Sequence, residues 1–153
     1  MATPTHFQEQ NDWHTNYDGF DYPIWRTETM LGKEKTTQVI SVWQLSPGEI
    51  RAFRESEGFV FIRIVGGQPP IEVLWANTVP FEGQNAKYTH PDCYDLPVHI
   101  DNIKHQGQET ILVTSAWQLS KEGKQAFDEN GGIVFLRVVG GQPYVTVTAI
   151  NPF

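Results

Sequence analysis

Two arginines, Arg63 and Arg137, stand 74 residues apart, each three residues before a Gly-Gly-Gln-Pro loop. A guanidinium offers five N–H donors in a rigid fork and keeps its charge at physiological pH, so it suits a carboxylate or a phosphate. Each arginine shares a strand face with aromatic and aliphatic neighbours, Phe61 and Val65 in one case and Phe135 and Val139 in the other. An arginine repeated on such a face needs a partner. That partner is either an internal carboxylate or carbonyl, or an anionic ligand recognised where the two copies meet.

The loops themselves, Gly66-Gly67-Gln68 and Gly140-Gly141-Gln142, are candidates of a second kind. Two glycines permit positive φ, and amides left free by a tight turn can form an anion-binding nest. Against this, no Lys-Ser or Lys-Thr follows and no helix begins there, so neither phosphate-loop nor dinucleotide fingerprint is met. A hairpin connection between two strands is the expected role. Trp43 and Trp117 recur at the same spacing. They read as core residues, with a stacking platform for a base or aromatic ligand as the alternative.

Catalytic patterns are sparse. The stretch Thr89-His90-Pro91-Asp92-Cys93 sets a histidine and the single cysteine three apart, with His99 and His105 downstream. A nucleophilic thiol also needs an oxyanion hole, and a zinc site needs four ligands at workable spacing. Cys93 lies outside the repeated unit, and no Gly-x-Ser-x-Gly or His-Glu-x-x-His motif occurs. The expectation is a protein without metal, cofactor or catalysis, the alternative being an enzyme with a non-motif site between the repeats.

The elements that must position these residues come from a duplication. Val39–Val73 aligns with Val113–Val147 without a gap, and 19 of the 35 positions are identical. Typical composition would give roughly one in sixteen. The chain then divides into an aromatic-containing arm (1–20), a first repeat (21–75), a linker rich in Asn, Pro and Gly (76–94), a second repeat (95–150) and a tail (151–153). Two copies of a 74-residue period are too few for a solenoid, so a fused pseudo-dimer is the better expectation.

Within a repeat, Thr37–Leu45 alternates and is β-branched, which predicts a strand. Ser46, Pro47 and Glu49 then supply a helix cap, a first-turn proline and the capping-box glutamate. In the second copy Glu122 falls one place early, so its cap should be weaker. Gly58, or Gly131-Gly132, stops each helix after about three turns. Apolar runs at Phe59–Val65 and Ile133–Val139 predict central strands, and Ile71–Trp75 and Val145–Ala149 predict the returning ones. The fold expected is α+β: two fused β-α-β-β repeats in a compact pseudo-two-fold assembly with antiparallel strands. Val60, Ile62, Ile64, Val134, Leu136 and Val138 should lie inside one shared core, because a unit of this size with one short helix buries little alone.

The net charge of −7 argues against a phosphate-backbone grip on nucleic acid. One cysteine excludes an internal disulfide framework, and no run of apolar residues is long enough to span a bilayer. The first ten residues carry neither a basic region nor an apolar segment for export, so a cytoplasmic setting is expected.

Taken in order, Pro23, Ile40, Ser41, Trp43, Leu45, Ser46, Glu49, Gly58, Val60, Pro69, Pro70 and Val73 assemble a recognisable pattern. The second copy repeats it at Leu96, Pro97, Val98, Ser115, Trp117, Leu119, Ser120, Gly132, Val134 and Pro143, departing at Gly123 and Tyr144. The unit resembles a group of small bacteriophage proteins of uncharacterised function, which usually hold one copy. The resemblance implies phage origin and carries no active site to transfer. It points to an accessory protein that binds a host or defence component, through a small anionic ligand in one version, in the host cytoplasm. A virion decoration or connector protein, held by the aromatic arm and the C-terminal Ile150-Asn151-Pro152-Phe153, is the alternative.

Overall fold

A computed structural model describes residues 2–15, 21–89, 95–140 and 143–153. The strands, in chain order, are β1 (Thr3–Pro4), β2 (Asp12–Thr15), β3 (Asp21–Leu31), β4 (Glu34–Gln44), β5 (Phe59–Val65), β6 (Ile71–Val73), β7 (Ala76–Thr78), β8 (Ala86–Tyr88), β9 (Leu96–His105), β10 (Gln108–Leu119), β11 (Ile133–Val139) and β12 (Tyr144–Thr148). Helix α1 (Pro47–Glu55) follows β4, and α2 (Lys121–Glu129) follows β10. The α+β class stands, and each repeat contains the expected strand, helix, strand, strand. It also contains one long strand more: β3 and β9 precede the expected set and form hairpins with β4 and β10.

The strands form two antiparallel sheets, ordered β2-β3-β4-β11-β6 and β12-β5-β10-β9-β8, with β1 joined to β4 and β7 to β10. Each sheet takes one strand from the other half of the chain. β5 of the first repeat lies between β10 and β12 of the second, and β11 of the second lies between β4 and β6 of the first. The Gly-Gly-Gln-Pro segment after β5 is therefore no hairpin corner. β5 and β6 sit in different sheets, and the loop carries the chain from one to the other. A hydrophobic alternation fixes which face of a strand is buried but not which strand lies beside it, and this decided the error.

Registers recur at the 74-residue offset. Arg63 faces Thr114 as Arg137 faces Ile40, and Val98 faces Ala86 as Ile24 faces Asp12. Pro4 faces Trp43 as Thr78 faces Trp117. The arm and the linker thus contribute matching strands, β1 with β7 and β2 with β8.

The core is one cluster fed by the inward faces of both sheets. All six residues expected inside are buried there, together with Trp43, Trp117, Phe53 and Phe127. Burying one such aliphatic side chain fully contributes about 1.5–3 kcal/mol. The helices meet at matching positions: Phe53 stacks on Phe127 with centroids 3.9 Å apart, and Arg54 reaches Asp128 at 3.4 Å.

The caps differ as expected. At α1, Ser46 Oγ accepts the Glu49 amide while the Glu49 carboxylate reaches back to the Ser46 backbone. At α2, only the bond from the Gly123 amide to Ser120 Oγ forms. A Cβ at Gly123 would lie 2.6 Å from the Trp75 carbonyl oxygen, so the second repeat needs glycine where the first has glutamate. Glu49 is wholly buried and accepts the Ala149 amide at 3.2 Å. Burial alone would raise its pKa, but the hydrogen bonds it accepts, those of Ala149 and Ser46 among them, hold it below the usual carboxylate value.

Candidate functional site

Arg63 and Arg137 occupy matching places on the faces of their sheets turned away from the core, since Ile62, Ile64, Leu136 and Val138 on either side of them point inward. Strand register sets their neighbours. Across the first sheet the row reads Trp25, Ile40, Arg137, Glu72. Across the second it reads His99, Thr114, Arg63, Thr146.

In the first row both terminal nitrogens of the arginine find partners within the chain, while its Nε does not. Arg137 Nη2 donates to Glu72 Oε2 at 2.6 Å and Nη1 to Gln38 Oε1 at 3.3 Å. In the second row Thr146 replaces the glutamate, and Arg63 forms no ion pair or hydrogen bond among the described residues. Its Nε is fully enclosed and unpartnered, and so is Thr114 Oγ1. An enclosed donor or hydroxyl without a partner costs about 1–3 kcal/mol, which is unusual enough to demand a reason.

His99 completes this second row. Its Nδ1 contacts the Gly83 carbonyl, and its Nε2 lies 2.9 Å from Asp101 Oδ1. The Gly83 hydrogen bond raises its pKa most, Asp101 adds to that, and burial and the nearby Arg63 charge work against it. With both ring nitrogens facing acceptors, the imidazolium is the form that satisfies them. Aromatic rings flank the row: Phe153 lies 4.6 Å from the His99 ring and stacks on Phe81, which meets Phe61 edge-on.

A cleft of about 880 Å³ opens beside the first sheet, at β6. The first Gly-Gly-Gln-Pro loop supplies Gln68 and Pro69, β6 supplies Glu72, and Trp75, Tyr88 and Arg137 complete its main walls. Trp75 is half-exposed and meets Phe135 edge-on at 5.7 Å. Two enclosed polar atoms there lack partners: Gln68 Oε1, an acceptor, and Arg137 Nε, a donor. Gln68 Nε2 is occupied by the Pro69 carbonyl at 2.8 Å.

Of the residues singled out from sequence, the cleft thus gathers Gln68 and Arg137, with Trp117 at its wall. Arg63 belongs to the other sheet. Trp43 and Trp117 are core residues whose indole N–H groups donate to Ser41 and Ser115 at 2.8 and 2.9 Å. Gly66 and Gly140 adopt the expected positive φ, 99° in both. Their amides are taken, Gly66 by the Ile111 carbonyl and Gly140 by that of Thr37, and Gly67 lies in open space. That spends an amide the anion nest would need. Gly141, Gln142, His90 and Cys93 lie outside the described residues. Among the described residues no three His, Cys, Asp or Glu side chains are grouped to hold a metal ion, and no helix is long and apolar enough to cross a membrane.

Of Thr114, Thr146, His99 and Trp75, only His99 was named from sequence, as a histidine downstream of Cys93 and not as a neighbour of Arg63. The signal for the first three was present as differences between the copies: Ile40 against Thr114, Glu72 against Thr146, Trp25 against His99. Searches against protein-family models, curated proteins and solved structures give no match for this chain.

Proposed function

We propose that this chain is a non-enzymatic, phage-type accessory protein that binds a component of its host or of a host defence, with the cleft beside β6 as its main contact. The cleft carries this reading. Its volume falls within the roughly 300–1,000 Å³ usual for ligand sites, and its walls mix aromatic and aliphatic side chains with polar ones. Gln68 Oε1 and Arg137 Nε lie covered in the wall, so the groups that meet an occupant are the exposed parts of Trp75, Glu72 and Arg137. The Glu72–Arg137 pair neutralises the wall, so the cleft does not select for charge.

On this reading the chain is a fused pseudo-dimer with pseudo-two-fold symmetry, resident in the host cytoplasm, in which one scaffold presents two surfaces free to diverge. The test compares wild type with Trp75→Ala in pull-downs from host extract and in thermal-shift screens of small aromatic compounds. Trp75→Ala is expected to lose the captured component and the compound-induced shift. Identical capture and shifts by both proteins would remove the cleft from the function.

Exposed Trp13, Ile150 and Phe153 favour a second reading, a virion component docked through its aromatic arm and its C-terminal residues. Mass spectrometry of purified particles decides it, absence from the particle being the negative result.

A further inference from the structure

Trp75 is the exposed ring of the cleft, and it stands on a backbone that seldom carries one. Its φ is 60°, in the left-handed region that bulky side chains rarely occupy. The conformation is held from outside: the Trp75 carbonyl accepts the Ser120 amide at 2.7 Å, and Gly123, having no Cβ, lets that carbonyl approach. The ring is left half-exposed, edge-on to Phe135. At the matching place in the second repeat Ala149 is buried and has no such φ. A tryptophan kept in a strained turn with its ring toward solvent is a platform for a flat apolar face. Taking the cleft as the protein's main contact, we propose that its occupant is a neutral saccharide, one face of a sugar ring resting on Trp75 and its hydroxyls bonded by Glu72, Arg137 and Asn77.

The surrounding wall fits the rim of such a ring. Beside the paired Glu72 and Arg137 the cleft has Thr29, Asn77, Thr78 and Tyr88, uncharged residues whose side chains form no hydrogen bond among the described residues. The hydroxyls of Thr29, Thr78 and Tyr88 are not enclosed, in contrast to Gln68 Oε1 and Arg137 Nε, and Asn77 is exposed. Glu72 uses only Oε2 on Arg137, so its Oε1 remains an acceptor. A sugar hydroxyl donates and accepts at once, and it can therefore meet a carboxylate, an amide or another hydroxyl. These groups belong to this copy: Thr29 and Thr78 match Ile103 and Pro4, whose side chains bond nothing. Met30, more than half exposed at the rim, adds an adaptable apolar contact.

Other occupants fit the cleft less well. A flat aromatic compound covers Trp75 but buries the polar groups around it without partners, a cost that offsets the ring contact. A peptide added as a strand to β6 would need the outward amide and carbonyl of Val73, because the bonds from the Val139 amide to Pro70 and from the Leu74 amide to Phe135 turn the alternate residues toward β11. Val73 is fully buried, so that edge is closed. An acidic sugar gains nothing, since the Arg137 charge is already matched by Glu72 in a chain of net charge −7.

Calorimetric titration of the whole chain with chitotriose, maltotriose, mannotriose, trigalacturonate and indole tests the proposal. At least one neutral trisaccharide should bind saturably at millimolar concentration or below, and about tenfold or more tightly than trigalacturonate. Trp75→Asn removes the ring but keeps a residue at ease in the left-handed region, so it should fold with an unchanged circular-dichroism spectrum and bind the sugar at least about tenfold more weakly. Asn77→Ala should weaken the sugar about three- to tenfold, the loss of one hydrogen bond, and leave indole unaffected. Trigalacturonate binding more tightly than every neutral sugar, equal sugar binding by wild type and Trp75→Asn, or no saturable binding of a neutral sugar would each overturn it. Indole that binds wild type but not Trp75→Asn, with no sugar bound by either, keeps the cleft as the contact and ends the saccharide assignment. Host-extract capture unchanged by Trp75→Ala instead removes the cleft, and the saccharide with it.

Discussion

Arg63 and Arg137 hold the same place in two sheets built from the same repeat, yet their surroundings have opposite character. Around Arg137 the neighbouring strands supply Ile40, Gln38 and Glu72, and the two ends of the guanidinium are paired within the chain. Around Arg63 they supply Thr114 and Thr146, with His99 beyond, and the guanidinium has no partner among the described residues. Matching places in the two copies thus hold one arginine with a carboxylate partner and one that has none among the described residues. The lesson is that a repeated residue is a statement about the scaffold, and only the residues that differ around it speak about function.

The sharpest way to break this comparison is to write one copy into the other where the backbone forbids it. Gly123→Glu gives α2 the capping residue of α1 but places a Cβ 2.6 Å from the Trp75 carbonyl oxygen. It should destabilise the protein by about 3 kcal/mol in urea unfolding, the upper end for overpacking. Next come the arginines themselves. Arg137→Met strands the Glu72 carboxylate and should lower stability by about 1 kcal/mol, a modest figure because both partners are more than one-third exposed. Arg63→Met removes an enclosed, unpartnered Nε and should leave stability unchanged or raise it. Melting curves of the two variants recorded together give the answer, and equal losses would end the distinction.

A smaller effect is expected from Thr114→Val, which deletes an enclosed hydroxyl that bonds nothing while keeping the shape of the side chain. It should stabilise the free protein by about 0.5–1 kcal/mol. The smallest is a pH effect confined to the second sheet. The pKa of His99 is raised in the folded chain by Gly83 and Asp101. Its contribution is therefore fully present below the unfolded value of about 6.5 and is lost as pH rises through the folded value. His99→Trp, which copies Trp25, should remove that slope, as stability measured across neutral pH will show.

Local features were legible in the sequence because local chemistry dictates them. Ser46 with Pro47 and Glu49 announced a capped helix, Gly123 in place of a glutamate announced a weaker cap, and the apolar runs of β5 and β11 announced the core. The strands β3 and β9 were missed, as were the short strands of the arm and linker, because their polar, mixed composition carries little pattern of its own and they are held by pairing. The exchange of β5 and β11 was invisible for the same reason. The arginine rows then followed from register: Thr114 and Thr146 lie 51 and 83 positions from Arg63 in the chain, and only strand pairing sets them on either side of it.

That exchange also governs how the protein comes into being. When the first repeat has left the ribosome, its sheet still lacks the strand that belongs between β4 and β6, because β11 has yet to be made. The β2-β3-β4 pairing can form within the first half, but the place between β4 and β6 stays empty until the second half arrives, and the pairing that fills it is distant along the chain. Such chains fold slowly and leave strand edges open in the meantime. The two sheets are therefore completed only when both halves of the chain are present, and expression with few chaperones should yield less of the protein than its final stability would suggest.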